Sequence, residues 1–81
     1  MLTAAQIRAA RALLGWSQPA LAAAAKLSLP TIVRMESQQG PGRSAAANVE
    51  AVQRALEDAG VCFIAPEGSG GGGPGVRLKH G

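Results

Sequence analysis

The strongest constraint in this chain is a phrase that occurs twice, Ser17-Gln18-Pro19 and Ser28-Leu29-Pro30, set in a run of alanines. Inside a helix, proline removes an N–H that the ladder needs, and its ring collides with the preceding turn. In the first turn neither objection holds, because those N–H groups have no partner within the helix. Serine is a favoured N-cap, its hydroxyl accepting a bond from one of the free N–H groups. Two prolines, each two residues behind a serine, therefore mark two helix starts. The segment 14–36, LGWSQPALAAAAKLSLPTIVRME, is predicted to form two short helices, over about 18–25 and 29–36, joined by a tight connection at Lys26-Leu27.

A longer helix precedes them. Over residues 3–14, Ile7, Ala10 and Leu14 recur at the spacing of one buried helical face, with Arg8 and Arg11 interleaved. Thr3 followed three residues later by Gln6 has the pattern of a capping box, and Gly15 supplies a left-handed stop. In the two short helices, Leu21, Ala22 and Ala25 form one apolar stripe and Ile32 and Met35 another, with Leu27 at the corner between them. Alanine at position 22 permits close approach of two helix axes. After a polar loop dense in turn formers, a fourth helix is expected over about 45–59, burying Val49, Val52, Leu56 and Ala59 and stopping at Gly60. Its charges, Glu50, Arg54, Glu57 and Asp58, largely cancel, which suits packing better than binding.

The pattern then changes. Val61–Ala65 is a continuous apolar run between Gly60 and Pro66, as in a strand with both faces covered. A glycine-rich connector, Gly68–Gly75, leads to Val76–Leu78. Two alternatives stay open: Val76–Leu78 pair with Val61–Ala65, or residues 66–81 form a flexible tail. A paired hairpin would leave an edge that wants another strand, and a second subunit is the nearest supply.

Composition excludes several classes. Eighty-one residues make one small domain with a thin core, burying about 60% of the unfolded surface. Apolar residues make up 47%, yet no run of 18 occurs, so no bilayer-spanning helix is expected. Gln6, Arg8 and Arg11 make the start unlike a secretory signal, and a soluble intracellular protein is expected. One cysteine and one histidine, His80, exclude a disulfide framework or Cys/His metal site within one chain. Cys62 is a small core or interface residue, or else a reactive one. The acids and His80 form no base–nucleophile pair and no carboxylate dyad. The GSGGGGPG run lacks the Lys-Ser/Thr ending of a phosphate loop and precedes no helix, so it reads as a linker. An enzyme is not expected, nor a cofactor or metal. The net charge of +3 favours a polyanionic partner or an acidic protein surface.

Two short helices after a longer one form a supersecondary unit whose last helix can enter a DNA major groove. Residues 7–43 resemble the helix-turn-helix domain of the phage-repressor-like, or Xre, family of transcriptional regulators. The run LGWSQ carries the resemblance, followed by Leu21, Ala22, Ala25, Leu27, Ser28, Ile32, Met35 and Glu36 at the spacings of that family. It implies a mainly α, compact four-helix, lambda-repressor-like helix-turn-helix DNA-binding domain with a short C-terminal β strand or hairpin. Residues 1–60 would form that domain, with its helix-turn-helix unit at about 17–36. Residues 61–81 would form the strand and connector, a candidate dimerisation element. Two features depart from the family pattern. Lys26 stands where glycine is usual, so the turn would hold a non-glycine residue near the left-handed conformation, at some cost. Leu29 and Pro30 stand where polar readers are common.

For the site, the resemblance implies that Gln18 bonds a backbone phosphate, although an exposed first-turn glutamine could equally be a solvated residue. Ser28 would be a cap first and a contact second. Leu29, Pro30, Val33 and Arg34 fall outside the Ile32/Met35 stripe. Arg34 could read a guanine edge, anchor a phosphate or remain solvated, and Leu29, Pro30 and Thr31 could touch thymine methyls. Arg43 resembles the basic residues that hold phosphates after the recognition helix in this family. Arg11 and Glu36 occupy positions that form an ion pair there. Trp16 is a core plug or, with no aromatic neighbour to support it, a stacking platform. The expected function is that of a small sequence-specific transcriptional regulator of the repressor type. It would bind double-stranded DNA in the cytoplasm, at the nucleoid, as a homodimer joined through Val61–Ala65 and, if ordered, Val76–Leu78. A different class of function is a protein-binding adaptor, or the antitoxin of a toxin–antitoxin pair, docking through the C-terminal strand.

Overall fold

The computed structural model describes residues 2–66 and 72–80, with Arg43 followed along its backbone alone. Helix α1 spans Ala4–Leu14, capped by Thr3, whose hydroxyl accepts the Gln6 N–H at 3.1 Å while Gln6 Oε1 accepts the Thr3 N–H at 2.9 Å. It ends at Gly15 (φ 69°), where the Gly15 N–H bonds the Ala12 carbonyl and the Trp16 N–H bonds the Arg11 carbonyl. This pair of bonds is a Schellman stop.

Helix α2, Gln18–Ala25, starts where the Ser17 hydroxyl accepts the Ala20 N–H. It repeats the same stop without a glycine: Lys26 takes φ 59° and ψ 42°, its N–H bonds the Ala23 carbonyl, and the Leu27 N–H bonds the Ala22 carbonyl. Helix α3, Leu29–Met35, begins at Ser28, whose hydroxyl accepts the Thr31 N–H. Only Lys26, Leu27 and Ser28 separate the two helices. Helix α3 ends one residue before the expected boundary, with Glu36 as its C-cap.

Gly40 then takes φ 67° and ψ −174°, a combination open in practice to glycine alone, and turns the chain into a single 3-10 turn, Pro41–Arg43. Helix α4, Ala46–Asp58, lies one residue inside each expected end. Its N-cap is Ala45, which makes no side-chain capping bond.

Strands β1, Val61–Ile64, and β2, Gly75–Leu78, pair antiparallel with Val61 opposite Leu78 and Ile64 opposite Gly75. The second strand therefore forms and is not a loose tail. It starts one residue earlier than expected, and β1 stops before Ala65. The middle of the glycine-rich connector, residues 68–71, lies outside the described residues.

One expectation is corrected: the strand is covered on one face, not two. Val61 and Phe63, with their partners Leu78 and Val76, share the face turned to the helical core, whereas Cys62 is half-buried and Ile64 is 38% exposed beside Arg77 on the other. A continuous apolar run does not reveal that only one layer of helices is at hand to cover it.

The core takes Ile7 from α1, Leu21 from α2, Ile32 and Met35 from α3, Val52 and Leu56 from α4, and Val61 from β1, all but fully buried. Ala10, Ala22 and Ala25 are buried among them, and such small side chains let helices approach closely. Leu14 and Ala59 are only half-buried at the ends of their stripes. The result is compact and mainly helical, four helices with a small two-stranded sheet. Its radius of gyration, 12.1 Å, is close to the ~12 Å of a compact chain this long. None of the described helices is long and apolar enough to cross a membrane.

The sheet is tied at both ends. The buried Gln6 amide donates to the Gly75 carbonyl at 3.0 Å and to that of Ile64 at 3.4 Å, and the Lys79 N–H bonds the Gly60 carbonyl at 2.8 Å.

Candidate nucleic-acid interface

The end of α3 is held by a carboxylate that collects three N–H groups. Arg11 grips Glu36 with two prongs, Nε to Oε2 and Nη2 to Oε1, each 2.7 Å, and Gln18 Nε2 donates to Oε1 at 3.2 Å. Its third arm, Nη1, reaches the Trp16 carbonyl at 3.0 Å, and Arg8 Nη1 donates to the Glu36 backbone carbonyl. The Glu36 side chain is 2% exposed and that of Arg11 20%. The hydrogen bond to Glu36, aided by the attraction of opposite charges and opposed by burial, holds the Arg11 guanidinium above its already high pKa. The network therefore fastens α1, the start of α2 and the end of α3 to one another.

The other side of α3 faces out. Ile32 and Met35 are buried, while Leu29, Pro30, Val33 and Arg34 are exposed, as the stripe requires. Thr31 is half-buried at the margin, and its hydroxyl shares a 2.8 Å bond with that of Ser28. Arg34 has no side-chain partner among the described residues. The backbone of Arg43 lies in the 3-10 turn that follows α3, and its side chain is outside what is described.

Gln18 is placed differently from a free first-turn side chain: it is half-buried and engaged by Glu36. Pro19 has no N–H, and Ser17 already takes that of Ala20 through its hydroxyl and that of Leu21 through its carbonyl. Among the described residues, the backbone donors left at the start of α2 are the N–H groups of Ser17 and Gln18. Any phosphate there would meet these and the second amide hydrogen of Gln18.

Charge is unevenly spread. Residues 1–49 carry Arg8, Arg11, Lys26, Arg34 and Arg43 against one acid, Glu36, which is buried and paired. Residues 50–81 carry Glu50, Glu57, Asp58 and Glu67 against Arg54, Arg77 and Lys79. The net charge of +3 is thus +4 in the first part and −1 in the second. This asymmetry was readable in the sequence by splitting the count. The roles of Arg8 and Gln6 were not, since their partners are 28 to 69 residues away. Trp16 is half-buried and packs against the core.

In comparisons with known proteins, the chain matches no family model and no curated sequence.

Proposed function

We propose that this chain is a small sequence-specific DNA-binding transcriptional regulator of the repressor type. In this reading residues 17–36 are a lambda-repressor-like helix-turn-helix unit, and α3 enters the major groove. The observation that carries it is the exposed side of α3, Leu29, Pro30, Val33 and Arg34, held out by the Arg11–Glu36 network in the part of the chain where no acid is left unpaired. Such a surface suits a polyanion, whose phosphates attract the basic residues while the helix meets base edges. Arg34 and Arg43 are assigned to DNA, with Gln18 and Ser28 at the helix starts. Residues 61–81 are assigned to dimerisation, because a two-stranded sheet leaves edges that a second copy can extend.

Arg34→Ala tests the assignment cleanly, since that side chain is exposed and makes no hydrogen bond or ion pair among the described residues. Its loss is expected to weaken binding to duplex DNA by about ten-fold or more if it reads a base. If it holds only a phosphate, the slope of log K against log salt falls by about 0.9. An unchanged affinity and an unchanged salt slope would remove Arg34 from the site.

A second reading has one observation in its favour, the uncovered outer face of the sheet at Cys62 and Ile64. It makes the chain a protein-binding adaptor or an antitoxin that docks through β1. Absence of any salt-sensitive retention of duplex DNA would favour it.

A further inference from the structure

From the composition of its exposed face, we infer that α3 reads its site mainly through the C5-methyl groups of pyrimidines and only secondarily through hydrogen bonds. The inference rests on the DNA-binding reading and adds to it the chemical feature recognised. Leu29 and Val33, 40% and 46% exposed, stand one turn apart outside the Ile32/Met35 stripe, with Pro30 beside them. None of these three has a side-chain donor or acceptor. One of the two hydroxyl hydrogens of Ser28 and Thr31 is used between them, and the Ser28 oxygen also caps the helix. Apart from the other hydroxyl hydrogen, Arg34 is the one side-chain donor on α3 without a partner among the described residues, and the only charged one.

In the major groove, the one apolar feature is the methyl at C5 of thymine, shared by 5-methylcytosine. Leu29 and Val33 are separated along the helix axis by about 6 Å, roughly two base-pair steps. Two methyls on nearby pairs fit that span, with Arg34 left for a neighbouring guanine. Duplex DNA, rather than an apolar protein surface, is the favoured occupant because the surrounding chain is basic. Beside these apolar side chains lie Arg34 and, at the end of the helix, Arg8, and the one acid of residues 1–49 is buried against Arg11.

The test uses the full-length protein and a duplex enriched by it from a pool of random 30-base-pair DNA. That duplex is remade with uracil in place of thymine, which removes the methyl and leaves every hydrogen-bonding group unchanged. Affinity is expected to fall about four-fold for each methyl read, and not to fall when the replaced thymines lie outside the half-sites. Changing a read T·A pair to 5-methylcytosine·G should cost less than changing it to C·G, by the same factor. The double variant Leu29→Ser, Val33→Ser alters only exposed positions, leaves no methyl at either, and should lose most of the preference for the thymine duplex over the uracil one. Equal affinity of the unaltered protein for both duplexes, or for both cytosine forms, overturns the inference and leaves DNA binding standing. Failure to enrich any duplex overturns both, and turns the apolar face of α3 toward a protein partner.

Discussion

One residue carries more of the architecture than its size suggests. Arg11 neutralises a carboxylate that is otherwise buried and also bonds the Trp16 carbonyl. Removing it leaves the Glu36 charge without its counterion, a loss of about 3–5 kcal/mol in buried pairs. With Arg11 itself one-fifth exposed, the lower end applies. A chain of this size loses about 4–8 °C per kcal/mol, so calorimetry of Arg11→Ala should show a melting point lower by about 12 °C or more. An unchanged midpoint would deny the pair its structural role. Lys26 is the opposite case, a residue that costs stability where it stands. It is the only described non-glycine residue with positive φ, and its side chain is exposed. Lys26→Gly relieves that cost but adds freedom to the unfolded chain, for a net gain of about 0.5–1 kcal/mol by urea unfolding. A loss of stability would mean that the lysine side chain contributes something not visible in its contacts.

The elements differ in how much of each was legible in the residues. The starts of α1, α2 and α3 and the stop of α1 were, because Thr3, Gly15, Ser17 and Ser28 act on backbone groups three or four residues away. The stripes followed from the same local periodicity, and so did the exposed side of α3. The covering of β1 did not, because it depends on how many layers surround a strand that its own residues cannot count. The Gln6 tie was equally hidden: the residue was recognisable as half of a capping box, while its amide serves carbonyls 58 and 69 residues away. Gln6→Glu separates the two roles. It keeps an oxygen for the Thr3 N–H but turns a carboxylate toward the Ile64 and Gly75 carbonyls. Hydrogen exchange should then show sheet amides opening about ten-fold faster or more, with α1 little changed. Equal protection in both forms would mean that the tie adds nothing to the sheet. Helix α4 offers a simpler check, since Ala45 is exposed and makes no capping bond. Ala45→Asp should stabilise the protein by about 1 kcal/mol in urea unfolding, unless the start of α4 is frayed.

For the whole molecule, the first 49 residues, which include α3, carry a net charge of +4, and residues 50–81, which include the sheet, a net −1. The proposed function assigns DNA to the first and a second subunit to the second. Sedimentation should then find a dimer, and Ile64→Lys, on the uncovered face, should shift it toward monomer while the helical circular dichroism is kept. A monomer at all concentrations would remove the dimer and with it the expected symmetry of the operator. The central claim, that α3 reads duplex DNA, is tested most directly by selecting from a random duplex pool with the purified protein near physiological salt. The account predicts an enriched inverted repeat with half-site centres about one helical turn apart, each half containing thymines. A pool that shows no enrichment, and no salt-dependent retention at any ionic strength, would contradict it.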